Sequence, residues 1–164
     1  MPKSLQLRLH GVRHLPGVPP PALRTLILFL AGRALRAAPA QPWCSLEVIV
    51  TGHAGIRRFN RAVFGRDTVT DVITQAYAPD PLRPGWSGEL IVNAALAAEQ
   101  GPRFGGVGRE LTLYLAHGCD HLAGADDNTP AARARMRRRE LRWLAAADRA
   151  GLLASLHPRR GNAP

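Results

Sequence analysis

The sequence predicts an α/β (α+β) fold: one domain with a single mixed four-stranded sheet packed by helices, and a candidate metal-site helix in its second half. Three observations predict it. Short apolar runs of strand character alternate with longer runs of helical period, in the order β-α-β-α-β-β-α-α-α. At 164 residues and 46% hydrophobic residues, the chain is long enough for one core and has the apolar content to fill it. Late in the chain, two histidines four residues apart precede a glycine, a helix carrying chemistry on one face.

Each element has a local cause. Leu5–Leu9 alternates apolar and polar residues, as a half-buried strand does, and the run from Gly17 to Pro21 breaks it. Leu23, Leu26, Ile27, Leu30 and Ala34 then recur at helical spacing, an amphipathic helix ending near Ala37 and closed by Pro39 and Pro42. Ser45–Val50 is a second strand. Ile56–Phe64 is a short helix with Arg57, Arg58 and Arg61 on its polar side. Val69–Tyr77, rich in β-branched residues, is a third strand, followed by a proline-rich loop from Pro79 to Pro84. Glu89–Val92 is a fourth, buried strand that runs into an alanine-rich helix stopping at Gly101. The glycines around Gly105 lead into a helix over Glu110–Leu122. Thr129-Pro130 reads as an N-cap with proline at the first helical position, and the last helix runs to about Ala150. Residues 1–156 are thus expected to form the domain, and 157–164, polar with proline and glycine, a disordered tail.

Charge narrows the partners. Lys and Arg number 22 against 12 Asp and Glu, a formal charge of +10, with Lys3 the only lysine. Such a balance attracts polyanions, nucleic acid first. The run Leu26–Leu30 is too short to span a bilayer, and the residues after Met1 alternate instead of forming an apolar leader, so a cytoplasmic protein without a membrane partner is expected. Cys44 and Cys119 make no disulfide framework and no disulfide-linked partner is expected; both read as reduced packing residues. Oligomeric state is not encoded in any readable pattern.

The chemistry concentrates in His117-Gly-Cys-Asp-His121-Leu-Ala-Gly124-Ala-Asp-Asp127. Imidazoles four residues apart share a helix face, so both can reach one divalent ion. Gly124 stands where that helix needs a left-handed residue to stop, and a carboxylate from the returning loop, Asp126 or Asp127, can supply a third ligand. Two His and one carboxylate with an open fourth position is a catalytic zinc arrangement. The plain alternative is a helix whose histidines are ordinary partly buried residues. Asp120 reads first as a solvent-facing helix residue, then as an acceptor orienting a ligand histidine, and last as a general base. His10, His14, His53 and His157 show no ligand spacing among themselves.

These residues, read with three further blocks, resemble the YbeY endoribonucleases, metal-dependent proteins of ribosomal RNA maturation. The family signature H-G-x-L-H-L-x-G-Y-D-H is similar to residues 117–127, its T-[DN]-V-L-S-F to Thr70–Gln75, its G-[DE]-I-x-I to Gly88–Val92, and its Leu-Asn pair to Phe59-Asn60. The resemblance implies metal ligation by His117, His121 and Asp127, which decides between the two aspartates. It implies one Zn²⁺ per chain, with other divalent ions open. It also implies a single-strand-specific endoribonuclease of ribosomal RNA processing, with ribosomal RNA and the small ribosomal subunit as partners.

Three departures stand out. Asp127 replaces a histidine, Asp120 replaces a leucine, and Phe64 falls where the family carries an arginine. Arg61, one turn earlier, is the expected catalytic substitute and Arg66 the other candidate. Arg57, Arg58, Arg61 and Arg66 are the expected RNA-binding set, placed by the family fold beside the metal. Arg133, Arg135, Arg137, Arg138, Arg139 and Arg142, six in ten residues, are expected to give a general electrostatic footprint. Two other functions fit parts of the pattern. H-x-x-x-H-x-x-G-x-x-D also suits a metzincin-like metalloprotease, although Gly118 stands where those enzymes keep their glutamate base. A non-catalytic RNA-binding assembly factor would tolerate the departures.

Overall fold

Strand β1 (Gln6–His10) lies beside β2 (Trp43–Thr51), β2 beside β4 (Trp86–Asn93), and β4 beside β3 (Val72–Tyr77), giving the sheet order β1-β2-β4-β3. β1, β2 and β4 run parallel, and β3 is antiparallel to β4. The computed structural model describes residues 5–38, 43–82 and 84–157. Five helices complete it: α1 (Pro20–Ala37), α2 (His53–Phe64), α3 (Ala94–Gln100), α4 (Val107–Leu122) and α5 (Pro130–Arg149). Architecture and element order match the expectation. Pro39, Pro42 and the tail beyond His157 lie outside the described residues.

Alternation along the strands sorts the helices onto two faces. Val48, Val50, Leu90 and Val92 turn one way and join the main core with Leu23, Leu26, Ile27 and Leu30 of α1, Leu111 and Leu115 of α4, and Trp143 of α5. Ile91 and Ile73 turn the other way, where Ile56 and Phe59 of α2 cover them beside Ile49. Thus α2 occupies the sheet face opposite α4. No helix among the described residues is long and apolar enough to cross a membrane.

Helix α4 touches α1, α3, α5, β3 and β4, and it lies low on the sheet. Gly118 is the reason: a Cβ there would come within 2.8 Å of Leu90 Cδ2 and 3.2 Å of Val72 Cγ2. Burial on nearly every side of α4 also corrects the reading of Asp120, which is not solvent-facing but 1% exposed.

Strand β3 starts three residues later than expected. The Asn60 side-chain amide donates to the Thr68 carbonyl and hydroxyl, and the Asn93 amide donates to the Thr70 carbonyl. Side chains therefore claim the acceptors that a longer strand would have paired. Helix α2 starts at His53 and α4 at Val107, each earlier than the apolar periodicity marks, because the first turn of each is built from small or polar residues.

Candidate metal centre

His117 and His121 project from the last turns of α4 with their Nε2 atoms 3.1 Å apart. Helix α4 then stops at Gly124, whose φ of 93° is left-handed. The Gly124 amide donates to the His121 carbonyl and the Ala125 amide to the Asp120 carbonyl, so the chain doubles back. The reversal brings Asp127 Oδ2 to 3.5 Å from His121 Nε2 and 3.9 Å from His117 Nε2. Each of the three residues offers one ligand atom, and those atoms lie within 4.8 Å of one another. Asp126 does not share the site; its carboxylate accepts from the Asn128 amide at 2.7 Å and forms the turn.

Both rings are aimed from behind. His121 Nδ1 lies 3.1 Å from the Ala125 carbonyl, an acceptor only, so Nδ1 carries the proton and Nε2 presents a lone pair. His117 Nδ1 lies 2.7 Å from Glu140 Oε1, and Glu140 is only 3% exposed. A ligand histidine backed by a carboxylate or carbonyl is the usual support of a metal site. Two lone pairs facing each other at this distance repel unless a proton or a cation lies between them. Burial pushes His117 down in pKa, but the hydrogen bond and charge of Glu140, with Asp71 and Asp127, outweigh it and hold the imidazole above its ordinary value. The donor set of two neutral nitrogens and one carboxylate oxygen fits a dication such as zinc.

A second ion pair lies behind the first. Asp120 accepts a bidentate pair from Arg139, Nε to Oδ1 at 2.9 Å and Nη2 to Oδ2 at 2.9 Å. Burial pushes the Asp120 carboxyl up, and Arg139 only partly offsets this. Arg139 is thus not part of a surface footprint; it clamps α5 to α4 next to Glu140. Cys119, expected to pack, is 2% exposed, and burial pushes its thiol up to about 12.

In front of the ligands is an open cleft of about 360 Å³. Asp71, Glu110 and Tyr114 line one side, and Arg133, Met136 and Arg137 of α5 another. The cleft's arginines therefore come from α5. Arg57, Arg58, Arg61 and Arg66 are not among its lining residues, since α2 covers the opposite sheet face. Arg57 and Arg61 meet Asp67 at 3.0 and 2.8 Å, and the Arg61 hydrogen bond, helped by Arg57, holds that carboxyl below its ordinary range. Phe64 is 53% exposed at the end of α2.

Sequence reasoning missed Glu140, Arg139 and Asp71 as parts of this site. Glu140 had one signal: it is the single acid in the basic stretch Arg133–Arg142. Asp71 belongs to the Thr70–Gln75 block, and its Oδ1 accepts from the Val72 amide at 2.8 Å, which fixes the carboxylate at the cleft edge.

Comparisons with known proteins point to one family. The family model described as endoribonuclease YbeY matches residues 18–148. The endoribonuclease YbeY of Geobacter metallireducens is 35% identical over 124 residues, covering 71% of this chain and 82% of the relative. That of Salinibacter ruber is 33% identical over 62% of this chain and 69% of the relative. The Anaeromyxobacter relative, 36% identical, is matched over 56% of its own length. A Thermotoga maritima protein solved in solution shares the fold at a TM-score of 0.61 and 20% identity, covering 96% of this chain and 100% of that one. With its matched span enclosing both histidines and Asp127, this chain belongs to the YbeY endoribonuclease family.

Proposed function

We propose that the protein is a metal-dependent endoribonuclease that cleaves single-stranded ribosomal RNA during ribosome maturation, in the cytoplasm and with the small ribosomal subunit as partner. One observation carries the reading: the Nε2 atoms of His117 and His121 and the Asp127 carboxylate converge on one point while both Nδ1 atoms are engaged from behind. The relatives' names supply the substrate class.

His117, His121 and Asp127 would hold one ion, with zinc favoured by two imidazoles and a carboxylate and an open position. Bound there, it would supply Lewis acidity at a phosphoryl oxygen and lower the pKa of a water. The chain's own groups do the rest. Arg133 and Arg137, at the cleft wall, offer planar donors to the non-bridging oxygens of a phosphodiester and offset charge as it builds. Asp71, pinned through Oδ1, has an oxygen available to accept a proton at the cleft edge. Glu140 keeps the His117 ring in its productive tautomer. Arg57, Arg58, Arg61 and Arg66 bind flanking RNA backbone, and Arg61, one helical turn before Phe64, takes the role of the family's arginine.

His117→Ala and His121→Ala are expected to lower bound metal from about one ion per chain to none and to reduce cleavage of a single-stranded RNA to background, a loss of more than ~10³-fold. Elemental analysis paired with a chelator-sensitive cleavage assay reads both. Undiminished cleavage by the purified double variant would refute the reading.

A further inference from the structure

A second crevice opens at the carboxyl ends of β1 and β2, where the connections leave toward opposite faces of the sheet: β1 toward α1, β2 toward α2. Its volume is about 480 Å³, and Arg13, His14, Thr51, Gly52, Ala54 and Arg58 are among its walls. Such a place in an open sheet is where ligands are bound in many α/β proteins.

Its donors are unspent. Helix α2 has Gly52 at its N-cap and no side-chain cap, and the first intrahelical bond is from Ile56 to the Gly52 carbonyl. The amides of His53, Ala54 and Gly55 therefore keep free N–H groups at the positive end of a 12-residue helix. Thr51 lines the same crevice at 8% exposure, and no described residue partners its hydroxyl. That hydroxyl stands 1.9 Å from where a Cβ on Gly55 would lie, so glycine at 55 is what admits it to the first turn. Arg13 and Arg58 have no hydrogen-bond or ion-pair partner among the described residues, and no carboxylate lines the crevice. The His53 ring is not a donor here. Its Nδ1 accepts from the Asn93 amide and its Nε2 donates to Glu99.

We propose that this crevice is an anion site for a phosphate group, separate from the metal centre and built from the α2 amides, the Thr51 hydroxyl, Arg13 and Arg58. A nearly buried hydroxyl, three oriented amides and two unpaired guanidinium groups match the oxygens of a phosphate mono- or diester. The same chemistry is carried by free phosphate and by an RNA backbone. Geometry favours the backbone. Asn93 and Thr51 are register partners, and the Asn93 amide donates to the Asp71 carbonyl, so crevice and metal cleft open at the same end of the sheet. A strand crossing that end can set one phosphate in the crevice and another in the cleft. This last step rests on the nuclease reading; the anion site itself does not.

Amide NMR on the whole chain tests it. Titration with inorganic phosphate should shift the Ala54 and Gly55 amides saturably. Arg13→Gln with Arg58→Gln should weaken that binding by at least about tenfold, and Thr51→Val should weaken it less. His117→Ala should leave it unchanged, which separates this site from the metal centre and from any failure of the nuclease reading. Shifts with both phosphate and a 2′-O-methyl oligoribonucleotide support the RNA form; shifts with phosphate alone support the anion site and overturn its RNA role. Absence of shifts with either probe overturns the proposal. So does an adventitious ion only, seen as shifts equal in the variants and the parent.

Discussion

Two arginine-bearing helices, α2 with three in 12 residues and α5 with seven in 20, put that charge to different use. On α2, Arg57 and Arg61 share the exposed Asp67 and stand over the far face of the sheet. On α5, Arg139 is drawn inward onto Asp120, Arg133 and Arg137 border the metal cleft, and Glu140, the residue after Arg139, backs a ligand. The difference is one of what lies beneath. Below α2 is a layer of Ile49, Ile73 and Ile91, onto which Ile56 and Phe59 pack. Below α5 is α4, whose buried surface displays Asp120 and His117. A run of like charge thus has no single role; its members are assigned one by one by the face they meet.

The widest test of the contrast is to break the inner pair. Asp120→Ala removes the buried acceptor while the Arg139 guanidinium, 30% exposed, turns to solvent, and unfolding free energy should fall by about 2 kcal/mol, the scale of lost charge-assisted hydrogen bonds. Chemical denaturation measures it. The double change Asp120→Leu with Arg139→Met should recover most of the loss, because apolar replacement of a buried pair is often neutral. A single variant as stable as the parent would show that the clamp contributes nothing.

A smaller effect is expected from Glu140→Gln. It preserves shape but removes charge, so metal affinity should drop roughly 10–100-fold, the usual cost of losing a partner behind a ligand histidine. Proton competition sharpens the same point. In the metal-free protein the His117 pKa is above its ordinary value of about 6.5, so this group stabilises the fold fully below that pH. Its contribution is lost as pH rises through the folded value. Melting temperature measured with chelator should therefore fall across that window. With metal present the trend should reverse, because the ligand must be neutral. In Glu140→Gln the chelated trend should flatten. Identical pH profiles in parent and variant would remove Glu140 from the explanation.

The smallest effect belongs to the other helix. Asp67→Asn breaks a fully solvated ion pair, and thermal unfolding at ordinary salt should not change measurably. A clear loss of stability would mean that the α2 cluster is structural after all.

Much of this was readable in the sequence, for identifiable reasons. Alternation in Ser45–Val50 and helical spacing from Leu23 to Ala34 reflect burial on one side, which periodicity reports directly. His117 and His121 were visible because one helix carries both. Asp127 needed the family resemblance, since spacing alone left Asp126 equally placed. Glu140 and Arg139 stayed hidden because their partners lie 23 and 19 residues away on another helix, and nothing local marks which face of α5 turns inward. The late start of β3 was hidden for the same reason: the amides that cap residues 68 and 70 come from Asn60 and Asn93.

The tight seat of α4 reaches into the protein's possible futures. A peptidase of the same spacing would need glutamate at position 118, the residue following the first ligand. Here a Cβ at that position would meet Leu90 Cδ2 at 2.8 Å, Val72 Cγ2 at 3.2 Å and Thr74 Cγ2 at 3.3 Å, so a glutamate would point into the strands and away from the ligands. A base there would sit in the apolar seam between α4 and the sheet, where a carboxylate has neither water nor a substrate to act on. The side of the helix that follows the first ligand is thus committed to packing, and a peptidase's base would have to come from another element.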